Sequence, residues 1–278
     1  MVDRRDPHAS PRHPSLEGAR PLNRRSWLAC LALAAISPDK SLPLRDRGAI
    51  VRGPRDRKRL SLVFTADRYA EGSRTILDAL ARRKIPAACF LTGRFLRDPE
   101  ARAVVARIKD DGHEIGPHSD QHLLYASWER PPKLLVSRDQ FLADLRVNDR
   151  EIAGFVRDPR RLPYFLPPFE HYTEEIVRWT AEAGRLLINF TPGTLSHADY
   201  MEDDNPRFVA AGRIVDSILG FERDEPDGLS GFLLLMHLGA GPRRTRDHLH
   251  DRLPGLLDSI QARGYEFIRV SELLRPAT

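Results

Sequence analysis

Beyond residue 60 the chain alternates between two kinds of apolar pattern. Short runs, apolar at most positions, lie at 60–66 (LSLVFTA), 87–93 (AACFLTG), 113–118 (HEIGPH), 163–168 (PYFLPP), 185–191 (RLLINFT), 231–238 (GFLLLMHL) and 265–270 (YEFIRV). Runs of this length without strict alternation read as strands covered on both faces. Between them, apolar residues recur at helical spacing over 73–84, 99–112, 173–184, 207–221 and 248–264, with Gly112 and Gly184 as stop signals. Seven strands separated by helices imply βα units and a mainly parallel sheet. Right-handed crossovers leave either an open doubly wound sheet or a closed barrel, and periodicity does not choose between them. In both, a ligand site gathers at the carboxyl ends of the strands.

Charge divides the 278-residue chain unevenly. Residues 1–59 hold 14 Lys/Arg against 6 Asp/Glu, while the remainder holds 30 against 33. The body is therefore mildly acidic and carries no basic stripe of the kind nucleic acid requires. The basic excess surrounds NRRSWLACLALAAIS, where Arg24 and Arg25 precede a ten-residue apolar run, 27–36. That run is too short for a membrane span, which takes about 20 residues. A basic region, a short apolar run and small residues at 32–34 together read as an export signal over 1–37, with paired arginines similar to a twin-arginine signal. Export to the periplasm or cell envelope is the expected location, with no stable membrane span. Residues 38–59, rich in Pro, Gly and Arg, read as a linker to a body at 60–278. Removal of the signal takes Cys30 with it and leaves Cys89, so the body is expected to rest on its core without an internal disulfide.

The strand ends carry the chemistry. The first delivers Asp67, the third runs into His118 and His122, and the sixth ends at His237. Histidines four apart share a face if their stretch makes a helical turn. With a carboxylate from a neighbouring strand they make a His₂Asp set with an open position, suited to a catalytic divalent ion. Zinc is the first candidate metal, followed by cobalt, nickel and iron. Tyr69, Tyr125, Trp128, Phe169, Tyr172 and Tyr200 are candidate sugar platforms, and the stretch after His122 (LLYASWERPPKLL) is long enough for a groove wall or lid. Asp247, His248 and His250 read as surface residues.

These residues match a family. Over 60–275 the chain resembles the polysaccharide deacetylases (NodB-like, carbohydrate esterase family 4). Thr65 and Asp67 fall on the family's first motif, T-F-D-D, and His118-Ser119-Asp120-Gln121-His122 meets its second, H-[ST]-x-x-H. Pro168 and Phe169 fall on the third, R-x-P-[FY], and Leu235-Met236-His237 on the closing L-x-H. The resemblance implies an α/β fold, a distorted (β/α) barrel of about seven strands of the NodB-homology type. It implies removal of acetyl groups from an acetylated glycan or oligosaccharide. In such a site a divalent metal polarises the acetyl carbonyl and acidifies water. His118 and His122 are then ligands, Asp67 the base and His237 the acid.

Two positions depart from the pattern. Arg68 stands where the family has a ligating aspartate, and Leu166 where it has an arginine that orients the base. Three compensations are open: Asp67 as the ligand itself, Glu71 one turn on, or Asp199, which with Tyr200 sits where the family's fourth motif has an aspartate and an aromatic. Arg68 points either to solvent or, as a fixed cation, toward an anionic ligand. Besides a glycan deacetylase, the sequence therefore admits a catalytically silent carbohydrate-binding protein and an amide hydrolase of a non-sugar substrate.

Overall fold

The computed structural model describes residues 39–156 and 162–275. The expected export signal lies outside them. No helix among the described residues is long and apolar enough to cross a membrane.

The described chain opens on an antiparallel hairpin, β1 (Leu44–Asp46) and β2 (Ala49–Arg52). The segment expected as a linker is thus built into the body. Ala49 and Ile50 are buried, Ile50 bridges in parallel to Ile188, and the Arg52 guanidinium donates to the carbonyls of Ser230 and Gly228. A Pro- and Arg-rich composition hid this, because Arg52 turns its guanidinium inward to carbonyls while Arg45, Arg47 and Arg57 stay exposed.

The main sheet is parallel and centred on β3 (Arg59–Ala66). β3 is flanked by β4 (Ala87–Leu91) and pairs on its other side with β8 (Leu233–His237); β5 (Glu114–Pro117) adds to β4, and β9 (Glu266–Phe267) pairs with the start of β3. β6 (Tyr164–Phe165) and β7 (Leu186–Leu187) form a separate parallel pair. All seven expected strands are present. Continuous ladders do not run around a barrel, however. Single backbone hydrogen bonds, Leu166 to Pro117 and Thr191 to Leu233, span the gaps on either side of the β6–β7 pair.

Alternation along β3 explains why its run is apolar on both faces. Leu60, Leu62, Phe64 and Ala66 pack outward under the helices, while Val63 packs with Phe90, Leu233, Leu235, Leu166 and Ile188 on the other side. Each such fully buried side chain contributes roughly 1.5–3 kcal/mol. The outer layer is α1 (Ser73–Arg83), α2 (Gly93–Arg97), α3 (Arg102–Asp110), α4 (Arg138–Ala153), α5 (Glu174–Glu182), α6 (Ala211–Asp224), α7 (Leu249–Ala262) and the short α8 (Val270–Leu273).

Apolar spacing did not announce α2 or α4. α4 begins at a full capping box, Ser137 with Gln140, and its buried face is Phe141, Asp144, Leu145, Asn148 and Ile152. Two polar residues interrupt the apolar stripe. They are there because this helix packs on a loop with backbone groups to satisfy, and that loop is HSDQH.

Candidate active site

Residues 118–122 do not make the helical turn expected of them. Ser119 and His122 have left-handed φ values of 75° and 55°, and the His122 N–H donates to Ser119 Oγ at 3.0 Å. The bend nevertheless brings the two imidazoles together, with ring centroids 5.1 Å apart. α4 holds the bend from behind. Asp144 accepts from Ser119 Oγ (2.7 Å), the Asp120 N–H (3.0 Å), the Gln121 N–H (3.1 Å) and Tyr125 Oη (3.1 Å). Asn148 accepts from the His118 N–H at 2.8 Å and donates to the Leu91 carbonyl. Asp144→Asn should therefore cost about 2 kcal/mol of stability, because an amide cannot accept from this whole set of donors. Urea unfolding measures it, and a loss below about 0.5 kcal/mol would mean the loop holds itself.

His118 is 2% exposed. Its Nδ1 lies 2.8 Å from the Leu166 carbonyl, an acceptor only, so Nδ1 carries the proton and Nε2 keeps its lone pair. Burial pushes the imidazole down to about 4, against the opposing pull of the Leu166 carbonyl and Asp67, so it is neutral at pH 7. A neutral imidazole fixed by a carbonyl is the form that ligates a metal. Leu166 thus serves the site through its backbone, while its side chain lies in the core.

Asp67 is held by Arg94, not by the histidines. Nε of Arg94 donates to Oδ1 at 2.5 Å and Nη2 donates to Oδ2. Arg68 stays largely in solvent, 4.0 Å from the same carboxylate, with its side chain 65% exposed. Glu71 accepts from the N–H groups of Ala240 (2.5 Å) and Gly241 (2.8 Å), so it anchors the loop after β8 and does not reach toward the histidines.

On the far side, Asp199 accepts twice from one residue, from the His237 N–H at 2.9 Å and from His237 Nδ1 at 2.6 Å. Burial works against charge on His237, but Asp199 and then Glu170 outweigh it and raise its pKa above the ordinary value. Tyr200 packs beside it, with ring centroids 5.0 Å apart.

These groups border one cavity of about 410 Å³, lined by Asp67, Arg68, Tyr69, His118, His122, Phe169, Glu170, Tyr200, Asn205 and His237 among others. Of the expected aromatics, Tyr69, Phe169 and Tyr200 reach it; Tyr125 and Tyr172 are core residues, and Trp128 stacks on His171. The stretch after His122 is pinned by an Ala126–Leu134 bridge. Asp247, expected as a surface acid, accepts from the Ala211 N–H at the start of α6 and pairs with Arg252.

Glu170 is a site residue that sequence reasoning passed over. Pro168 opens a tight turn (Pro168–Glu170) in which Phe169 and Glu170 both adopt left-handed φ, 59° and 52°. The turn lays the Phe169 ring against His122 and turns Glu170 into the cavity. Burial pushes its carboxyl up to about 7, with His237 lowering it and Asp199 raising it. A glutamate after Pro-Pro-Phe carries no sequence signal of that strain.

The separation of the two imidazoles suits a divalent ion, and His118 is in the neutral form that ligates one. A full ligand set is not gathered: among the described residues no three His, Cys, Asp or Glu side chains are grouped to hold one. At the position where the resemblance implies a ligating aspartate stands Arg68, largely in solvent.

Residues 52–187 match the family model described as polysaccharide deacetylase. A peptidoglycan-N-acetylglucosamine deacetylase from Bacillus cereus is 26% identical over 223 residues, covering 80% of this chain and 91% of its own length. A pseudoenzyme of carbohydrate esterase family 4 from Bacillus anthracis superposes with a TM-score of 0.62 at 19% identity, covering 83% of this chain and 70% of that one. A family 4 acetyl xylan esterase from Clostridium thermocellum, solved with a cobalt ion, superposes with a TM-score of 0.59 at 21% identity, covering 78% and 90%. At these identities the two structures speak for the fold alone. Together with the motifs at the strand ends, the family match places the chain as a distant member of the polysaccharide deacetylase family.

Proposed function

We propose that this protein is an exported hydrolase that removes acetyl groups from a glycan by cleaving the C–N bond of an N-acetyl sugar. The observation that carries the reading is the His237–Asp199 pair, which faces His118 and His122 across one cavity. Asp199 fixes the tautomer and orientation of His237 and favours its charged form. His237 is thereby poised to give its Nε2 proton to a departing amine. A divalent ion held by His118 and His122 would polarise the acetyl carbonyl and acidify a water molecule. The attacking water loses its proton to Asp67, a C–O bond forms, the C–N bond breaks, and the amine leaves with the His237 proton. Tyr69, Phe169 and Tyr200 give the sugar ring apolar faces at the cavity mouth.

A second reading, glycan binding without turnover, is favoured by one observation: the carboxylate expected beside the metal is replaced by Arg68. One experiment separates the two. The full chain, supplied with zinc or cobalt, is incubated with N-acetylglucosamine oligomers and acetylated xylan. Acetate release that is lost with chelator and in His122→Ala supports the hydrolase. Oligomer binding indifferent to chelator, with no acetate from either polymer, supports the binding protein.

A further inference from the structure

We propose that Arg94 is the positioning residue for Asp67, supplying from the start of α2 the orienting charge that position 166 lacks. The proposal rests on the hydrolase reading for its kinetic consequence, but its geometry stands apart from it. Both Asp67 oxygens lie on the Arg94 guanidinium, one contact at 2.5 Å to Nε and the other to Nη2. A two-point contact of this kind fixes the plane of a carboxylate as well as its place. The obvious rival, Arg68, is adjacent in sequence yet 4.0 Å away and largely in water.

The start of α2 is itself fixed to the histidine loop. The N–H groups of Gly93 and Arg94 donate to the carbonyls of Ser119 and Asp120, both at 3.1 Å. Thr92 caps the helix by accepting from the Phe95 N–H, and its Oγ1 donates to the Asp67 carbonyl. A Cβ at residue 93 would displace the Asp120 carboxylate, so glycine there lets the helix start and the histidine loop approach closely. Four residues on, Arg97 pairs with that carboxylate at 2.6 Å. One short helix therefore carries two arginines, Arg94 for the acid of the first strand end and Arg97 for the acid between the two histidines. α2 sets the distance between the proton acceptor and the imidazole pair. With both oxygens so engaged, the Asp67 carboxylate is held in a fixed plane and still has lone pairs free to take a proton.

The test uses the full chain carrying Arg94→Gln or Arg94→Lys. On an N-acetylglucosamine oligomer, Arg94→Gln should lower kcat about 100-fold with KM within about twofold, and Arg94→Lys should recover at least tenfold of that loss. A crystal structure of Arg94→Gln should find the Asp67 carboxylate rotated toward Arg68. Asp67 unmoved in that structure overturns the proposal whether or not the protein turns over. Asp67 moved with kcat unchanged overturns it as well. Should wild type release no acetate, the hydrolase reading fails by itself, and the position of Asp67 in the variant still decides the role of Arg94.

Discussion

His237→Gln is expected to lower kcat for acetate release by about 10²- to 10⁴-fold while leaving KM nearly unchanged, the range typical of a lost general acid. An amide leaving group needs a proton as the C–N bond breaks, and the surroundings of His237 favour charge. His118 is neutral by burial, whereas His237 has Asp199 on its Nδ1 and Glu170 near by. Because the acid works in its protonated form, activity should fall on the alkaline side of the raised His237 pKa. Asp199→Asn removes the largest favourable charge, so the alkaline limb of kcat should move to lower pH. A profile whose alkaline limb stays in place in Asp199→Asn would assign the proton to another group.

Glu170→Gly should stabilise the protein by about 2–3 kcal/mol at pH 8 and by less than about 1 kcal/mol at pH 4. Two costs are removed. The first is conformational: φ of 52° burdens any residue with a Cβ by about 1–2 kcal/mol, part of which glycine returns through a more flexible unfolded chain. The second is electrostatic. A carboxyl raised to about 7 in the fold stays protonated while the unfolded chain has already ionised, so the folded state binds more protons. Stability is then lost as pH rises from about 4.5 to about 7, nominally about 3 kcal/mol and nearer 2 for a half-buried group. Below pH 4.5 both states are protonated and only the conformational part remains. The other titrating groups cancel in the difference except His237, whose charged form loses the favourable charge of Glu170 and so returns part of the gain. Urea unfolding at the two pH values measures it, and an equal gain at both would remove the buried carboxyl from the account. A glutamate kept against such costs at the edge of a cavity is the kind of strain that function retains.

Much of the fold was legible because the strands advertise themselves. β3, β4 and β8 are apolar on both faces, and helices with unbroken apolar stripes such as α1 and α5 lie where their spacing put them. Legibility failed where polar side chains point inward. α4 presents Asp144 and Asn148 to a loop, and Arg52 presents its guanidinium to two carbonyls, so neither looks like core to a pattern that counts apolar residues. At the site, residue types at strand ends brought Asp67, His118, His122 and His237 to one cavity. Their pairings were not legible. Arg94 on Asp67 comes from a five-residue helix without periodicity, and Glu170 enters through two left-handed residues that sequence preference argues against.

The ties of the opening hairpin bear on the order in which the chain folds. Ile50 reaches Ile188, and Arg52 reaches carbonyls 176 and 178 residues further on. Loops of that length close at a high entropic cost, and contacts between distant positions are late and slow to form. The β3–β4–β5 segment can assemble from neighbouring units while the hairpin waits for β7 and β8 to be made. Until then the buried faces of Ala49 and Ile50 have no partner. The first strands in the described chain are therefore among the last to settle, so substitutions at residues 49–52 should chiefly speed unfolding and leave the folding rate nearly unchanged.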